Sequence, residues 1–375
     1  MEMDIKYLAH MKNLEVSLKN RTDVHQLLSS SIKEPTLMIE KHLSDFCKAG
    51  IDEFKGHSNA WSYPPLIEEL AKRYEVDRES VITTNGASNA IYLISRALVS
   101  SGDHVIVEWP AYAPLYASAK LLGAEVEFVR REPPDYSLNL KDLEDAMRPN
   151  TKAVILSNLH NPSGALLTDE SLDQMAELLK RINPSISIVV DEIYHELVPG
   201  RQTPAARIDE CFVTIGSLTK TFGLGSIHSG WIIARPELIS RVRQIQVIVE
   251  GSGSKLLDAI TSMIVRDLDE YLARAITLAA KNRELLSRKL KPLLEEGHIS
   301  GKIPDYGCIC FLRVGEVRDT SEFVSRLADE FGVYVVPGHF FGAPSRIRIG
   351  FGGDSEALEN SLKCLETGVK SILCS

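Results

Sequence analysis

Between about residues 80 and 235, the chain alternates short β-rich runs with segments whose apolar residues follow helical spacing. Seven β-rich runs are present, at residues 81–84, 104–108, 125–129, 153–157, 186–191, 211–215 and 230–234. An intervening segment, residues 170–182, carries apolar side chains three and four positions apart, which is typical of a helix with one buried face. Strands that alternate with helices pair in parallel and are covered on both faces. The pattern predicts an α/β fold with a mostly parallel seven-stranded sheet and helices on both faces.

The rest of the chain predicts a second, smaller α+β domain. From residue 236 to about 293 the spacing is helical, without a strand signal. Beyond it, strands are expected at 308–314, 333–336 and 347–351, and helices at 320–331 and 355–372. The first 40 residues are too few to form a core, so we expect them to pack on the small domain or on a partner subunit. The expected division is therefore an N-terminal segment 1–40, a large domain 41–290 and a small domain 291–375.

Composition and charge exclude several classes of protein. The chain has 42 basic and 51 acidic residues, a net charge of −9, which gives no electrostatic footprint for nucleic acid. No apolar run approaches the roughly 18 residues of a membrane span, and the first residues lack the apolar core of a secretory signal. The six cysteines form no CxxC pair and complete no zinc site, and Cys308 and Cys310 are expected to be small buried residues. We expect a cytoplasmic protein with no metal, nucleic-acid or membrane partner.

Chemically useful side chains follow five of the predicted strands. In open α/β sheets, ligands bind at the carboxyl ends of the strands. The groups at these ends are a helix start, an aromatic ring, an amide, a carboxylate with a nearby phenol, and a lysine preceded by a serine. The residues are Gly86, Ala87, Ser88, Tyr112, Asn161, Asp191, Tyr194, Ser217 and Lys220.

Together these groups suit one cofactor, pyridoxal 5'-phosphate. Its aldehyde requires a lysine amine for a Schiff base. Its pyridine nitrogen requires a carboxylate to stay protonated, which makes the ring an electron sink. Its phosphate suits a helix N-terminus, and its ring can stack on an aromatic side chain. Taken alone, Asp191 could cap a helix, Lys220 could be a surface lysine and Tyr112 a core aromatic, but their joint occurrence at successive strand ends favours the cofactor site.

The same residues resemble a known family, the class I/II aminotransferases, which are pyridoxal-phosphate enzymes of fold type I. Residues 217–231, SLTKTFGLGSIHSGW, resemble its lysine motif, and residues 161–164, NPSG, its Asn-Pro-x-Gly loop. Residues 191–194, DEIY, match Asp-x-x-Tyr, and residues 86–88 match the first phosphate loop. Val336-Pro337-Gly338, followed by RIRI at 346–349, resembles the carboxylate-binding segment. The resemblance covers about residues 60 to 352.

The resemblance implies a role for each matched residue. Lys220 would form the Schiff base and move the substrate proton, and Asp191 would pair with the pyridine nitrogen. Asn161 and Tyr194 would bind the phenolic oxygen of the cofactor, and Tyr112 would stack on its ring. The phosphate would be bound at the loop and strand end that carry Gly86, Ala87, Ser88 and Ser217. Arg348 would bind the substrate α-carboxylate in a bidentate pair; Arg346, two residues earlier on the same strand face, is its rival.

Several positions depart from the family pattern. His228 stands where the family commonly has an arginine that binds the cofactor phosphate. The tyrosine that reaches the partner's phosphate has no clear counterpart, although Tyr63 or His57 could stand in. The stretch 251–254, GSGS, could bring a partner group near the phosphate or could be a plain turn between helices. His160 could touch the substrate, although a structural role is favoured.

These observations predict a homodimeric, pyridoxal-phosphate-dependent aminotransferase. It would move an α-amino group between an amino acid and a 2-oxo acid by a ping-pong mechanism. The alternative on the same scaffold is a β-lyase or a synthase, because the substrate's leaving group decides the reaction. A non-catalytic, ligand-sensing relative is less favoured, since such proteins usually carry a DNA-binding module and no part of this sequence reads as one.

Overall fold

The computed structural model describes residues 6–18, 24–49, 62–200, 203–251 and 253–374. The helices in these ranges are α1 (Lys6–Leu18), α2 (Thr36–Ala49), α3 (Pro64–Tyr74), α4 (Gly86–Leu98), α5 (Ala113–Leu121), α6 (Leu140–Ala146), α7 (Asp169–Ile182), α8 (Pro236–Glu250), α9 (Lys255–Arg266), α10 (Leu268–Glu295), α11 (Ser321–Phe331) and α12 (Ser355–Cys374). The strands are β1 (His25–Gln26), β2 (Val81–Thr84), β3 (His104–Trp109), β4 (Glu125–Glu132), β5 (Ser137–Leu138), β6 (Thr151–Ser157), β7 (Ser187–Asp191), β8 (Phe212–Ser217), β9 (Gly230–Ile233), β10 (Ile299–Ser300), β11 (Ile309–Val314), β12 (Val333–Tyr334), β13 (Val336–Pro337) and β14 (Arg346–Gly350). None of these helices combines the length and the apolar character that crossing a bilayer requires.

The large sheet has the strand order β2-β9-β8-β7-β6-β3-β4-β5. The five strands from β8 to β4 are parallel, whereas β9 runs antiparallel to both of its neighbours. The predicted fold class and all seven predicted strands are confirmed. The eighth strand, β5, pairs antiparallel with β4 and is two residues long, too short to show a hydrophobic period.

Both faces of the large sheet are covered by helices. Along β3, Val105 and Val107 face a core built with α4, α5 and α8, whereas Ile106 between them faces a core built with α6 and α7. Successive side chains of a strand point to opposite faces, so a strand buried on both sides needs an unbroken apolar run. This arrangement leaves the carboxyl ends of the parallel strands as the accessible edge of the sheet.

The C-terminal part forms a four-stranded antiparallel sheet, β10-β11-β14-β13, packed against α10, α11 and α12. The predicted strand at 333–336 is wrong as a single element. Its first two residues, β12, pair in parallel with β1, and its last residue enters β13, which pairs with β14. The chain changes partners at Val335, whose side chain is buried in the core of this sheet.

The N-terminal segment runs from the small sheet to the edge of the large one. Leu27, directly after β1, is buried in the core of the small sheet, and its carbonyl oxygen accepts the Gly350 N–H at 2.8 Å. Five residues later, the Ile32 N–H donates to the Lys220 carbonyl at 3.0 Å. A Cβ at Gly350 would lie 1.7 Å from the Ser29 carbonyl oxygen, so only glycine permits this close approach. Residues 28–31 therefore border the strand ends that carry the predicted site.

Candidate active site

A cavity of about 690 Å³ opens at the carboxyl ends of the parallel strands. Nine of the residues predicted from the sequence line it: Gly86, Ala87, Ser88, Tyr112, Asn161, Asp191, Ser217, Lys220 and His228. Tyr194 and Arg348 stand behind this lining and are hydrogen-bonded to residues that form it. The structure thus brings together groups that lie up to 262 positions apart in the chain, from Gly86 to Arg348.

Lys220 follows β8 by three residues and points its amine into the cavity. Its Nζ donates a hydrogen bond to the Ser30 hydroxyl at 3.1 Å. Burial, together with the positive charge of Arg348, lowers the pKa of this amine to about 8, against the opposing influence of Cys308 and Asp191. An amine with this pKa is partly neutral near pH 7, and the neutral amine is the nucleophile that attacks an aldehyde.

Asp191 is the last residue of β7, and its side chain is only 2% exposed. Oδ1 accepts the Ile193 N–H at 3.3 Å, which is a weak bond for a buried carboxylate. Burial raises the pKa of Asp191 to about 7; the Ile193 N–H and the charge of Lys220 oppose this rise, and Glu108 adds to it. A buried carboxylate with so little stabilisation favours a cationic N–H partner, which is what a protonated pyridine nitrogen provides.

The start of α4 also lines the cavity. Gly86 opens this helix with a φ of +75°, and the preceding Asn85 makes no side-chain capping bond. The first N–H groups of a helix have no partner within the helix, so this end can bind an anion. Hydroxyl groups of Ser88, Ser217 and Thr219 border the same region. Together they fit a phosphate group.

His228 lies at this phosphate-suited end. A Cβ built on Gly86 would be 3.1 Å from Cε1 of the His228 imidazole, so the ring covers the first residue of α4. The residue has a φ of +50°, in the left-handed region that histidine enters more readily than most residues. The structure therefore places the histidine, rather than a family arginine, beside the helix N-terminus.

Arg348 is 1% exposed and is held from two sides. One Nη donates to Asn161 Oδ1 and the other to the Leu28 carbonyl, both at 3.2 Å. The guanidinium carbon lies 5.0 Å from the centre of the Phe341 ring. Arg346, by contrast, stacks on Tyr136 and donates to the Phe311 carbonyl, which is not part of the cavity lining. Of the two arginines, Arg348 is therefore the one that contacts the site.

The Tyr194 hydroxyl donates to the carbonyl oxygen of Ser30 at 2.7 Å, and the Ser30 hydroxyl is the acceptor for Lys220. Ser30 thus connects two predicted site residues, and sequence reasoning missed it. Thr219 was missed as well; its N–H donates to the Ser217 hydroxyl at 3.2 Å. The three consecutive serines at 29–31 are a signal in the sequence for Ser30, but they belong to no helical or strand pattern.

The remaining candidates have structural roles or lie elsewhere. His160 is fully buried, with Nδ1 paired to the Ser163 hydroxyl at 2.6 Å and Nε2 to the Pro110 carbonyl at 2.8 Å, and burial lowers its pKa well below the usual value. Tyr63 is 2% exposed inside the core around α3, so the suggestion that it reaches a partner subunit is wrong. His57 lies outside the described residues.

The stretch around Gly251 is a turn between α8 and α9, and Ser254 caps α9 by accepting the Leu257 N–H at 3.3 Å. Ser252 lies outside the described residues. Next to this turn, Glu250 accepts a hydrogen bond from the Asn85 amide at 3.1 Å. The turn therefore lies close to the start of α4.

Cys308 and Cys310 are fully buried, as predicted, although they belong to two different core clusters. Burial raises the pKa of each thiol to about 12. Both are therefore protonated at neutral pH and act as small apolar side chains.

Comparisons with known proteins agree with this geometry. The family model described as aminotransferase class I and II matches residues 45–365. A capreomycidine synthase of Streptomyces vinaceus is 31% identical over 290 residues, covering 76% of this chain and 73% of that protein. An aspartate aminotransferase of Streptomyces avermitilis is 29% identical over 336 residues, covering 82% of this chain and 80% of the relative. A pyridoxal-phosphate-dependent aminotransferase of Streptococcus suis shares the fold, with a TM-score of 0.88 and 23% identity over 99% of both chains.

The match spans most of the chain and includes every strand end that borders the cavity. It confirms the resemblance read from the motifs, and with it the pyridoxal phosphate cofactor that the strand-end residues indicated. The protein therefore belongs to the class I and II aminotransferases, the pyridoxal-phosphate-dependent enzymes that transfer an amino group between an amino acid and a 2-oxo acid.

Proposed function

We propose that the residues around the cavity bind the cofactor, bind the substrate and move the substrate proton during amino transfer, and that the position of each residue sets its role. The observation that carries the proposal is the convergence of the Lys220 amine, the buried Asp191 carboxylate and the buried Arg348 guanidinium around one cavity. When bound, pyridoxal phosphate supplies an electron-poor ring that stabilises negative charge at the substrate Cα. Lys220 would hold the cofactor through its amine, and the same amine would accept the proton that leaves the substrate Cα.

Asp191 holds the pyridine nitrogen in its protonated form. Tyr194 donates to Ser30, which also accepts from Lys220, and Asn161 accepts from Arg348. We assign Asn161 and Tyr194 to the phenolic oxygen of the cofactor. Tyr112, at the start of α5, is assigned to the face of the ring. The N-terminus of α4, with Gly86, Ala87, Ser88, Ser217 and His228, is assigned to the phosphate.

Transamination is tested against its alternative by following two products. The protein is supplied with each of the twenty amino acids, and the loss of its cofactor absorbance band is recorded. The amino acids that react are then assayed for amine transfer that depends on a 2-oxo acid. The similarity to a capreomycidine synthase favours a synthase or β-lyase as the second candidate. Release of ammonia without a requirement for a 2-oxo acid would establish a β-lyase, and consumption of the amino acid with neither ammonia release nor amine transfer would establish a synthase. Either result would reject transamination.

Arg348→Lys is expected to weaken binding of every amino acid substrate by about 10- to 100-fold, whatever its side chain. Lysine keeps the charge but loses the two-point fork that a carboxylate requires, and hydrogen bonds to charged groups contribute about 1.5–3 kcal/mol. KM values for several substrates measure this loss. Arg346→Lys is the matched control, two residues earlier on β14, and should leave KM unchanged. A larger rise in KM for Arg346→Lys than for Arg348→Lys would show that Arg346 binds the carboxylate instead.

His228→Arg is expected to strengthen cofactor retention. A guanidinium binds a phosphate through two parallel hydrogen bonds, which an imidazole cannot form. Dissociation constants of the cofactor for the wild type and the variant measure the effect. His228→Asn, which tolerates the left-handed backbone, controls for loss of the ring. An unchanged dissociation constant in both variants would show that another group neutralises the phosphate.

We propose that the enzyme is a homodimer and that it works in the cytoplasm. Large apolar side chains at the end of α8 and the start of α9 are exposed: Ile248 by 86%, Val249 by 50% and Leu256 by 52%. This patch flanks the turn that lies beside the start of α4 and therefore suits a partner subunit near the phosphate end. A sedimentation mass of twice 41.6 kDa is expected, and the fully active enzyme at the single-chain mass would contradict it. The six free cysteines support a reducing compartment.

The division into an N-terminal segment 1–40, a large domain 41–290 and a small domain 291–375 is likewise our proposal. The N-terminal segment would serve as a bridge, since β1 pairs with β12 of the small domain while Ser30 binds Lys220. Limited proteolysis with and without cofactor tests it. We expect protection around residue 30 when the cofactor is bound.

A further inference from the structure

An ion pair lies fully buried behind the site. Glu108 is the fifth residue of β3 and Arg131 the seventh of β4, and neither side chain is exposed. Arg131 Nη1 donates to Glu108 Oε2 at 2.8 Å, and its Nε donates to the Tyr136 carbonyl at 2.5 Å. Burying two charges costs solvation free energy, so such a pair persists where it has a further use or an extensive hydrogen-bond set.

The second oxygen of Glu108 is bonded to Ser157, at the end of β6. Oε1 accepts the Ser157 N–H at 2.7 Å and its hydroxyl proton at 2.5 Å. The Ser157 hydroxyl donates its one proton to the carboxylate in this hydrogen bond, so the lone pairs of its oxygen are left to accept other hydrogen bonds. One of them accepts the Asn161 N–H at 3.0 Å.

The hydrogen bonds continue from Asn161 to the substrate end of the site. Asn161 Oδ1 is the acceptor for Arg348 at 3.2 Å, so an unbroken path runs from Arg131 through Glu108, Ser157 and Asn161 to Arg348. Every member of this path is at most 5% exposed. Hydrogen bonds strengthen in a buried, low-dielectric environment, so this network favours one arrangement of the side chains that it joins, although Arg131 Nη2 has no partner in the described part of the chain.

We propose that Ser157, oriented by the Glu108–Arg131 pair, is a positioning residue for substrate binding. It fixes the backbone of Asn161, which in turn fixes the guanidinium that we assign to the α-carboxylate. The inference rests on the proposed function of Arg348. Because Ser157 does not line the cavity, loss of its hydroxyl should weaken substrate binding and leave the rate at saturation nearly unchanged.

Ser157→Ala tests the proposal in the cofactor-loaded enzyme. The probe is propionate, which carries the carboxylate of an amino acid and no amino group, and its dissociation constant is measured by calorimetry. We expect a three- to tenfold rise in this constant, the size of one lost hydrogen bond. KM for amino acids should rise by the same factor, with kcat within about twofold of the wild type. Ser157→Thr, which keeps the hydroxyl, should restore binding.

Ser187→Ala is the matched control. Ser187 begins the neighbouring strand β7, is equally buried, and its hydroxyl has no hydrogen-bond partner in the described part of the chain. A lower melting temperature for Ser157→Ala with unchanged propionate binding would reduce Ser157 to a structural role and overturn the inference. If Arg348→Lys also leaves propionate binding unchanged, Arg348 does not bind the carboxylate and its proposed function is wrong. If only Ser157→Ala leaves it unchanged, the positioning role of Ser157 is wrong and the function of Arg348 stands.

Discussion

Lys220→Ala is expected to abolish covalent cofactor attachment and to lower turnover by at least about a thousandfold. The variant loses both the amine that forms the Schiff base and the base that removes the Cα proton, and acid–base catalysis alone contributes 10²–10⁴-fold. Borohydride reduction followed by peptide mapping should locate the cofactor on Lys220 in the wild type. Folding should be retained, since the substitution removes a partly charged amine from a buried position.

The pH dependence of cofactor attachment provides a second measurement on the same residue. Because the pKa of Lys220 lies at about 8, attachment of cofactor to the apoprotein should accelerate about tenfold per pH unit below pH 8 and level off above it. Lys33→Ala is a suitable control, because Lys33 is exposed and paired with Asp354 near the same segment. Cofactor fixed on a lysine other than Lys220 would refute the assignment.

Much of this site could be predicted because its chemistry lies at strand ends. Asp191 and Lys220 each follow an apolar run whose strand character is evident from a few residues. The carboxyl ends of parallel strands lie at one edge of the sheet. Residues that follow such strands in the sequence are therefore neighbours in space. His228 was identified differently, from the family resemblance, by its position eight residues after Lys220.

The missed features depend on contacts between distant parts of the chain. Ser30 reaches Lys220 only because β1, two residues long, pairs with β12 more than 300 positions away, and no local pattern signals such a pairing. Strand β4 was predicted to end at Val129, before the charged residues Arg130, Arg131 and Glu132. It continues to Glu132 because the Arg131 side chain is neutralised by Glu108 on the adjacent strand, which permits a charged residue in a buried position.

Asp191→Asn is expected to slow removal of the substrate Cα proton by two or more orders of magnitude. An amide cannot hold the pyridine nitrogen in its protonated form, so negative charge at Cα loses its electron sink. Single-turnover absorbance measurements follow this step. Asp209→Asn is the matched control, because Asp209 also accepts the N–H two residues ahead, at Cys211, but precedes β8 instead of facing the cavity. A loss within about tenfold, or about 1.4 kcal/mol of barrier, would leave Asp191 as a turn-forming residue only.

The same substitution should stabilise the apoprotein, because the carboxylate is buried and, in the described part of the chain, no cation is hydrogen-bonded to it. The pKa of Asp191 is raised from 3.8 in the unfolded chain to about 7 in the folded protein. Between these values the folded protein binds the proton and the unfolded chain does not, so the free energy of unfolding falls as the pH rises from about 4 to 7. Asparagine has no such titration and still accepts the Ile193 N–H. The melting temperature of apo Asp191→Asn should therefore exceed that of the apo wild type by a margin that grows up to pH 7, corresponding to on the order of 4 kcal/mol. Bound cofactor should reverse the order, since its pyridine N–H then compensates the wild-type carboxylate. A wild type that is the more stable form even without cofactor would mean that Asp191 supports the fold rather than the cofactor.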